Sequence, residues 1–419
     1  MSILYRLSLW LRDPRNLIWT TPAAASALAV LLALAAALVN NWLDHDLVPD
    51  IRIETIDSLL TVIASSMLSV TTFSLGIMLS AFASASSSAS PRATELVMAD
   101  DSTRIAIASF IAAFIYAVIA KTALGMDYYG ASGRFVLFAC TVGVLVYLIF
   151  TLIKWVKTLS HLGRLPSTLE KLERAACKVI DEYHVAPLMG CRMAPVQVPD
   201  GTRVFINAAG YLTHINLLSL NELASETGAT VHVRVRPGAF ILHDTVLAVV
   251  EGECPEDAVR TVQHAFVIQH DRSFDQDPMF GLGVISEVAQ RALSPAVNDP
   301  GTAFQVLTVL TRLLLRLRPG FEADEPPDVK PLDHLTMVGL DEGEFVRAGY
   351  DPISRDGASL VELGMALQQH LGALVRCSDL RMSDAAAEQA RVAMGRAELG
   401  LSLPHDVARV RKAHKTAVG

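Results

Sequence analysis

Four long apolar stretches near the start of the chain constrain its fold more than any motif does. They span about 17–39, 59–85, 105–124 and 135–156. Each supplies about 20 or more residues with almost no internal charge, the length a helix needs to cross a ~30 Å hydrocarbon core at 1.5 Å per residue. The expected fold is an α-helical membrane bundle of four transmembrane helices, residues 1–158, followed by a C-terminal cytosolic α+β domain. The first stretch is long and lacks a small-residue cleavage signature, so it reads as an anchor and not a removable signal peptide.

Charge sets the expected orientation. Arg6, Arg12 and Arg15 precede the first stretch, and Lys154, Lys157, Arg164, Lys171 and Arg174 end or follow the fourth. The loop between the first two is acidic, with Asp44, Asp46, Asp50, Glu54 and Asp57 against Arg52. Basic residues resist translocation, so both termini are expected on the cytoplasmic side of a bacterial inner membrane. A net charge of −8 without a basic stripe argues against nucleic acid as a partner. The five cysteines, Cys140, Cys177, Cys191, Cys254 and Cys377, have no C-x-x-C spacing, so neither disulfides nor thiolate metal sites are expected.

The second stretch differs from the others. Ser58, Ser65, Ser69, Thr72, Gly76, Ser80 and Ser84 recur by three, four or seven residues, which places small and hydroxylated side chains along one helical face. Leu60, Ile63, Met67, Val70 and Ile77 fall on the other side. Continued through Ser88 such a helix is on the order of 45 Å long, more than the hydrocarbon thickness. Two readings stand side by side: close helix packing through small residues, or a wetted path lined by hydroxyls in a symmetric homo-oligomer. In the second, Arg92 and Glu95 stand at the inner mouth. The spans hold no evident acid–base pair, and Lys121 reads as an interfacial anchor.

Beyond the membrane region, residues 159–189 read as an amphipathic helical connector and 190–255 as a β-rich module. Residues 256–419 read as mainly helical. Short apolar runs at 204–206, 210–212, 230–235, 240–242 and 246–250 alternate with turn signals such as Arg236-Pro237-Gly238. Their order suggests a small barrel-sandwich-like module of the biotinyl/lipoyl kind. With no lysine between Lys178 and Lys330 it is no prosthetic-group carrier, and no cofactor is expected. Residues 319–352 read as a polar excursion with one strand near 335–338. Helices are expected near 360–375, 383–400 and 404–417, with Ser383 capping the middle one.

The densest motifs are His270-Asp271-Arg272-Ser273-Phe274-Asp275-Gln276-Asp277-Pro278-Met279-Phe280-Gly281 and Ala292-Leu293-Ser294-Pro295-Ala296-Val297-Asn298-Asp299-Pro300. Asp277 and Asp299 fit N-caps, with proline at the first helical position. The helices after them, 279–293 and 302–317, should form a hairpin. Alternatively His270, Asp271, Asp275 and Asp277, with Asn298 and Asp299, offer oxygen donors for a hard cation or polar ligand. Together with Ser90-Pro91-Arg92, the Gly210-Tyr211 pair and Pro237-Gly238, these motifs resemble domain-of-unknown-function family 2254, bacterial predicted membrane proteins. That resemblance implies the architecture and no activity.

Nothing in the sequence places a nucleophile beside a base, so an enzyme is not expected. The reading is a homo-oligomeric channel gated by its cytosolic domain, acting on an ion or answering a small cytosolic ligand. The alternative is a non-conducting membrane sensor or scaffold.

Overall fold

The computed structural model describes residues 14–38, 49, 51–93, 101–197, 199–323, 326 and 328–418. Glu95 and most of the acidic first loop lie outside the described residues. The chain divides into two compact units, residues 2–87 with 91–168, and residues 88–90 with 169–419.

The first unit is helical: α1 (Pro14–Leu38), α2 (Ile53–Ser88), α3 (Asp101–Gly125) and α4 (Ala131–Leu159). Among the described residues three helices, α2, α3 and α4, are long and apolar enough to cross a membrane. The described apolar part of α1, Thr20–Ala36, is shorter. At 36 residues α2 is roughly 54 Å long, well beyond a hydrocarbon core. The helix α3 is the most enclosed of the three, packed by both α1 and α4. Ala113, Tyr116, Ala117 and Ala120 give it a narrow face on which neighbours can approach. Polar bonds between helices of the bundle include Tyr116 OH with Thr141 Oγ1 at 3.0 Å, Ser109 Oγ with Tyr147 OH at 2.8 Å, and Tyr129 OH donating to the Ala33 carbonyl at 2.8 Å.

The second unit begins along α5 (Leu165–Val185), whose buried stripe of Leu169, Leu172, Ala176, Val179 and Ile180 is that of an amphipathic helix. Then come β1 (Cys191–Met193), β2 (Thr202–Val204), β3 (Gly210–Ile215), α6 (Leu217–Thr227), β4 (Thr230–Val233), β5 (Phe240–Ile241) and β6 (Ala248–Glu251). Next are α7 (Glu256–Ala265), β7 (Phe266–Gln269), α8 (Pro278–Ala292) and α9 (Pro300–Leu314). The strand β8 (Leu332–Met337) follows, then α10 (Glu342–Asp356), α11 (Val361–Cys377), α12 (Leu380–Gly400) and α13 (Pro404–Val418).

The strands make two sheets, a five-stranded one ordered β1-β8-β4-β6-β2 and a three-stranded one ordered β5-β3-β7. The barrel-sandwich expectation finds no confirmation in this pairing. The larger sheet takes β8, parallel to both β1 and β4, from far outside 190–255, and the smaller takes β7. Its core face (Val204, Val231, Val233, Ala248, Val250, Leu335, Met337) is covered by Leu217, Leu220 and Ala224 of α6.

Three readings of the last third are corrected. Residues 342–356, expected within a polar excursion, form α10, which buries Phe345, Val346, Tyr350 and Ile353. The strand near 335–338 lies at 332–337. Asp379 caps α12, accepting from Met382 N at 2.9 Å, whereas Ser383 sits one turn inside and donates to the Val375 carbonyl. A carboxylate at N-cap takes the exposed helix donor that serine was expected to satisfy.

Candidate functional site

The hydroxylated face of α2 is turned outward. Ser58, Ser65, Ser69, Thr72, Gly76, Ser80 and Ser84 are all exposed in the single chain. On the opposite face Ile56, Leu60, Ile63, Met67, Ser74, Ala81 and Ala85 are buried. Large apolar side chains border the small ridge: Val62, Phe73 and Leu79 are 60%, 64% and 70% exposed. A Cβ added at Gly76 would meet nothing within 4 Å. Close packing between helices of one chain is therefore not what these small residues do.

Their hydroxyls are nonetheless largely satisfied. Ser65, Ser69 and Thr72 donate to the carbonyls of Thr61, Ser65 and Leu68 one turn back, at 2.9–3.0 Å. Such back-bonding hides the donor and leaves the oxygen's lone pairs facing outward. Lower on the helix Ser84 Oγ reaches the Gly163 carbonyl at 3.1 Å.

Lys121 is more than an anchor. Its Nζ lies 2.9 Å from Asp57 Oδ1 and 2.6 Å from Thr61 Oγ1, so the spans do hold an acid–base pair, at their ends. The carboxylate sits one turn into α2 and the ammonium one turn from the end of α3. Arg92 is exposed in the turn that follows α2.

In the second unit the two motif-rich segments separate into distinct roles. Asp277 caps α8, its Oδ1 accepting from Met279 N at 3.1 Å and Phe280 N at 3.2 Å. Its Oδ2 takes Arg272 Nε and Nη2, both at 2.7 Å. Burial pushes the Asp277 carboxyl upward, and Arg272 opposes that shift. Asp299 caps α9, accepting from Thr302 N at 3.1 Å and Thr302 Oγ1 at 2.6 Å, and these bonds hold its carboxyl low. Asn298, at φ +49°, makes the turn into that cap. His270, Asp271 and Asp275 are exposed, and Asp275 is engaged with Ser273 in its own loop. Among the described residues no group of three or more His, Cys, Asp or Glu side chains is placed to hold a metal ion.

Two residues that the sequence shows only as part of a turn signal lie around Asp277. Gly238, at φ +94°, lies against the carboxylate, and a Cβ there would run into it. Arg236 is buried, donating to the Pro187 carbonyl at 3.0 Å and to Met337 Sδ at 2.8 Å. Burial lowers its guanidinium pKa, partly offset by Tyr183, Cys191 and Asp277. The Pro-Gly turn and the Asp-Pro cap thus meet at Gly238, and both are tied to β3: Gly238 N donates to the Leu212 carbonyl at 2.7 Å, and Gln276 Oε1 accepts from Ile215 N at 2.9 Å. Only the turn signal and the capping pattern were visible beforehand; their contact depends on how β3, β4 and α8 meet. Cys191 is no candidate nucleophile, since burial pushes its thiol up to about 12.

The model of a family described as "Predicted membrane protein (DUF2254)" matches residues 15–373. Among curated proteins, "Uncharacterized protein Rv1290c" of Mycobacterium tuberculosis (strain ATCC 25618 / H37Rv) is 25% identical over 239 residues, which cover 53% of this chain and 45% of that protein. "Uncharacterized protein Mb1321c" of Mycobacterium bovis matches with the same identity and coverage. The chain therefore spans less than half the length of these relatives. No solved structure matches it.

Proposed function

The chain belongs to the DUF2254 family of predicted membrane proteins, and on that premise we propose that it is a homo-oligomeric pore of the bacterial inner membrane. In this reading α1 to α4 are four spans with both termini cytoplasmic, as the basic flanks require. Copies of α2 turn the ridge from Ser58 to Ser84 toward a shared hydrated path. The residues from 169 onward form a cytosolic unit that gates the path through the 159–189 connector. The protein is a conduit for ions or small solutes and not an enzyme.

One observation carries this reading: all seven small or hydroxylated ridge residues are exposed in the single chain, while the apolar face of the same helix is buried. A helix bathed only in lipid has no need of such a ridge. Outward-facing hydroxyl oxygens can replace part of an ion's hydration shell once several copies bring them together. Purified protein in liposomes should then pass ions or small solutes. Absence of flux under every tested potential, tension and cytosolic extract would eliminate the pore.

A second reading has its own support. Because Ser65, Ser69 and Thr72 already donate to their own helix, the ridge can equally seat a neighbouring helix without water. The oligomer is then a sealed sensor or scaffold. Oligomers with no flux would favour it.

A further inference from the structure

The five-stranded sheet has a second face, opposite the one covered by α6, and it is basic. Residues directly opposite each other on paired strands share a face. Register therefore puts Arg192, Thr336, His232, Val249 and Arg203 in one row across β1-β8-β4-β6-β2. Arg234, two residues beyond His232, lies on the same side, its backbone N–H bonded to the Leu247 carbonyl at 2.9 Å.

Three features set this row apart. First, the three arginines, like Arg164, Arg260 and Arg376 elsewhere, have no side-chain ion-pair or hydrogen-bond partner among the described residues, but these three share one sheet face. Second, Nη1 of Arg234 is enclosed yet meets no acceptor. An enclosed, unsatisfied N–H on a cation is costly, and an acceptor brought by water, an ion or a ligand would relieve it. Third, the centre of the row is prearranged. His232 is buried, its Nδ1 2.8 Å from Thr336 Oγ1 and its Nε2 2.9 Å from Glu251 Oε2. Among the described residues the half-exposed Glu251 is the one acidic group bonded to this row, and it is spent on orienting the imidazole.

The spacing makes the arginines converge. With neighbouring strands ~4.8 Å apart, Arg192 and Arg203 each stand roughly 10 Å from His232 on opposite sides. Arg234 stands roughly 7 Å along the strand. Their flexible stems can lean inward from three directions over the His232–Thr336 pair. We infer that this sheet face binds a soluble phosphate-bearing ligand with more than one anionic group, gripped by Arg192, Arg203 and Arg234 around the buried His232–Thr336 pair. Guanidinium forks match phosphoryl oxygens in pairs. The assignment concerns binding only and does not depend on α2 lining a path.

Inorganic pyrophosphate and magnesium-free ATP, titrated into the purified full chain in detergent, provide the probe. Both should bind and raise Tm, with affinity falling steeply as salt rises. Removing each arginine as R192Q, R203Q or R234Q should weaken binding about tenfold, the scale of one charge-assisted bond. R376Q, on α11, should leave it unchanged. If R234Q does not fold, the exposed pair R192Q/R203Q still reads the effect. Binding that is absent, or equal in R192Q/R203Q and wild type, overturns the assignment. So does binding to phosphatidylglycerol vesicles without binding to either soluble probe, which would make the face a lipid contact.

Discussion

Lys121 Nζ lies 2.9 Å from Asp57 Oδ1, binding the last turn of α3 to the first turns of α2. Because one residue ends its helix and the other begins its own, the two helices run in opposite directions. The pair stands at one end of the bundle, with side chains 42% and 44% exposed. Water and ions therefore screen it. A double-mutant cycle with D57N and K121Q, read by thermal unfolding in detergent, should give a coupling of at most about 1 kcal/mol. A coupling several times larger would mean the pair is buried by lipid or by a neighbouring copy.

The ridge of α2 can be tested without unfolding the chain. Gly76 has open space around it, so G76L should leave Tm of the folded protein nearly unchanged, within roughly 0.5 kcal/mol. The same substitution should shift the mass measured by light scattering toward smaller assemblies, and abolish flux. A variant that keeps wild-type mass and flux would show that the ridge faces lipid alone.

Gly238 should tolerate no side chain. Its φ of +94° disfavours any L-residue, and a Cβ would strike the Asp277 carboxylate. G238A is expected to cost at least ~2 kcal/mol in unfolding free energy, from strain and a displaced cap. G228A, at φ +65° with open space, should cost about 1 kcal/mol. Equal losses at the two sites would remove the argument for contact between the turn and the cap.

Asp277 should matter more than an ordinary cap. It is 2% exposed and compensates Arg272 directly and Arg236 at longer range. D277A leaves the buried Arg236 without that carboxylate and the half-buried Arg272 without its partner, and should cost on the order of 3 kcal/mol, while D299A, at a half-buried cap, should cost about 1 kcal/mol. Urea unfolding of both variants provides the comparison.

His370 predicts a pH dependence. Burial lowers its pKa from the ordinary 6.5, and its Nδ1 is 2.7 Å from Thr311 Oγ1. The unfolded chain takes up a proton at this residue before the folded one does. Stability is therefore full above about pH 6.5 and declines as pH falls toward the folded-state pKa, with a slope of up to ~1.4 kcal/mol per pH unit. H370Q should lack the His370 share of that slope while His214 and His414, also lowered by burial, contribute in both proteins, so the two unfolding curves should converge on acidification. Parallel curves would mean the ring is free to ionise in the fold.

Much of this was legible in advance, for reasons that vary by element. The apolar runs that became α2, α3 and α4 need nothing but length and composition to be recognised. The caps at Asp277 and Asp299 follow from residue preferences within a single turn. Residues 342–356 were opaque because Gly343, Gly349 and Pro352 conceal the apolar periodicity, and α10 gains its stability by burying Phe345 and Tyr350 among distant helices. The strand β8 was readable as a strand, but not as the parallel neighbour of both β1 and β4.

The sequence alone determined that the chain is a membrane protein with a separate mixed α/β unit, because hydrocarbon-length apolar runs and local capping act over neighbouring residues. It also determined that α2 carries a polar ridge. Tertiary structure alone decided that this ridge is exposed in the single chain, that Gly238 rests on Asp277, and that three arginines without a partner among the described residues share one sheet face with His232. Each of those depends on contacts between residues tens to more than a hundred positions apart, whose pairing is set by packing and strand register and not by any local preference.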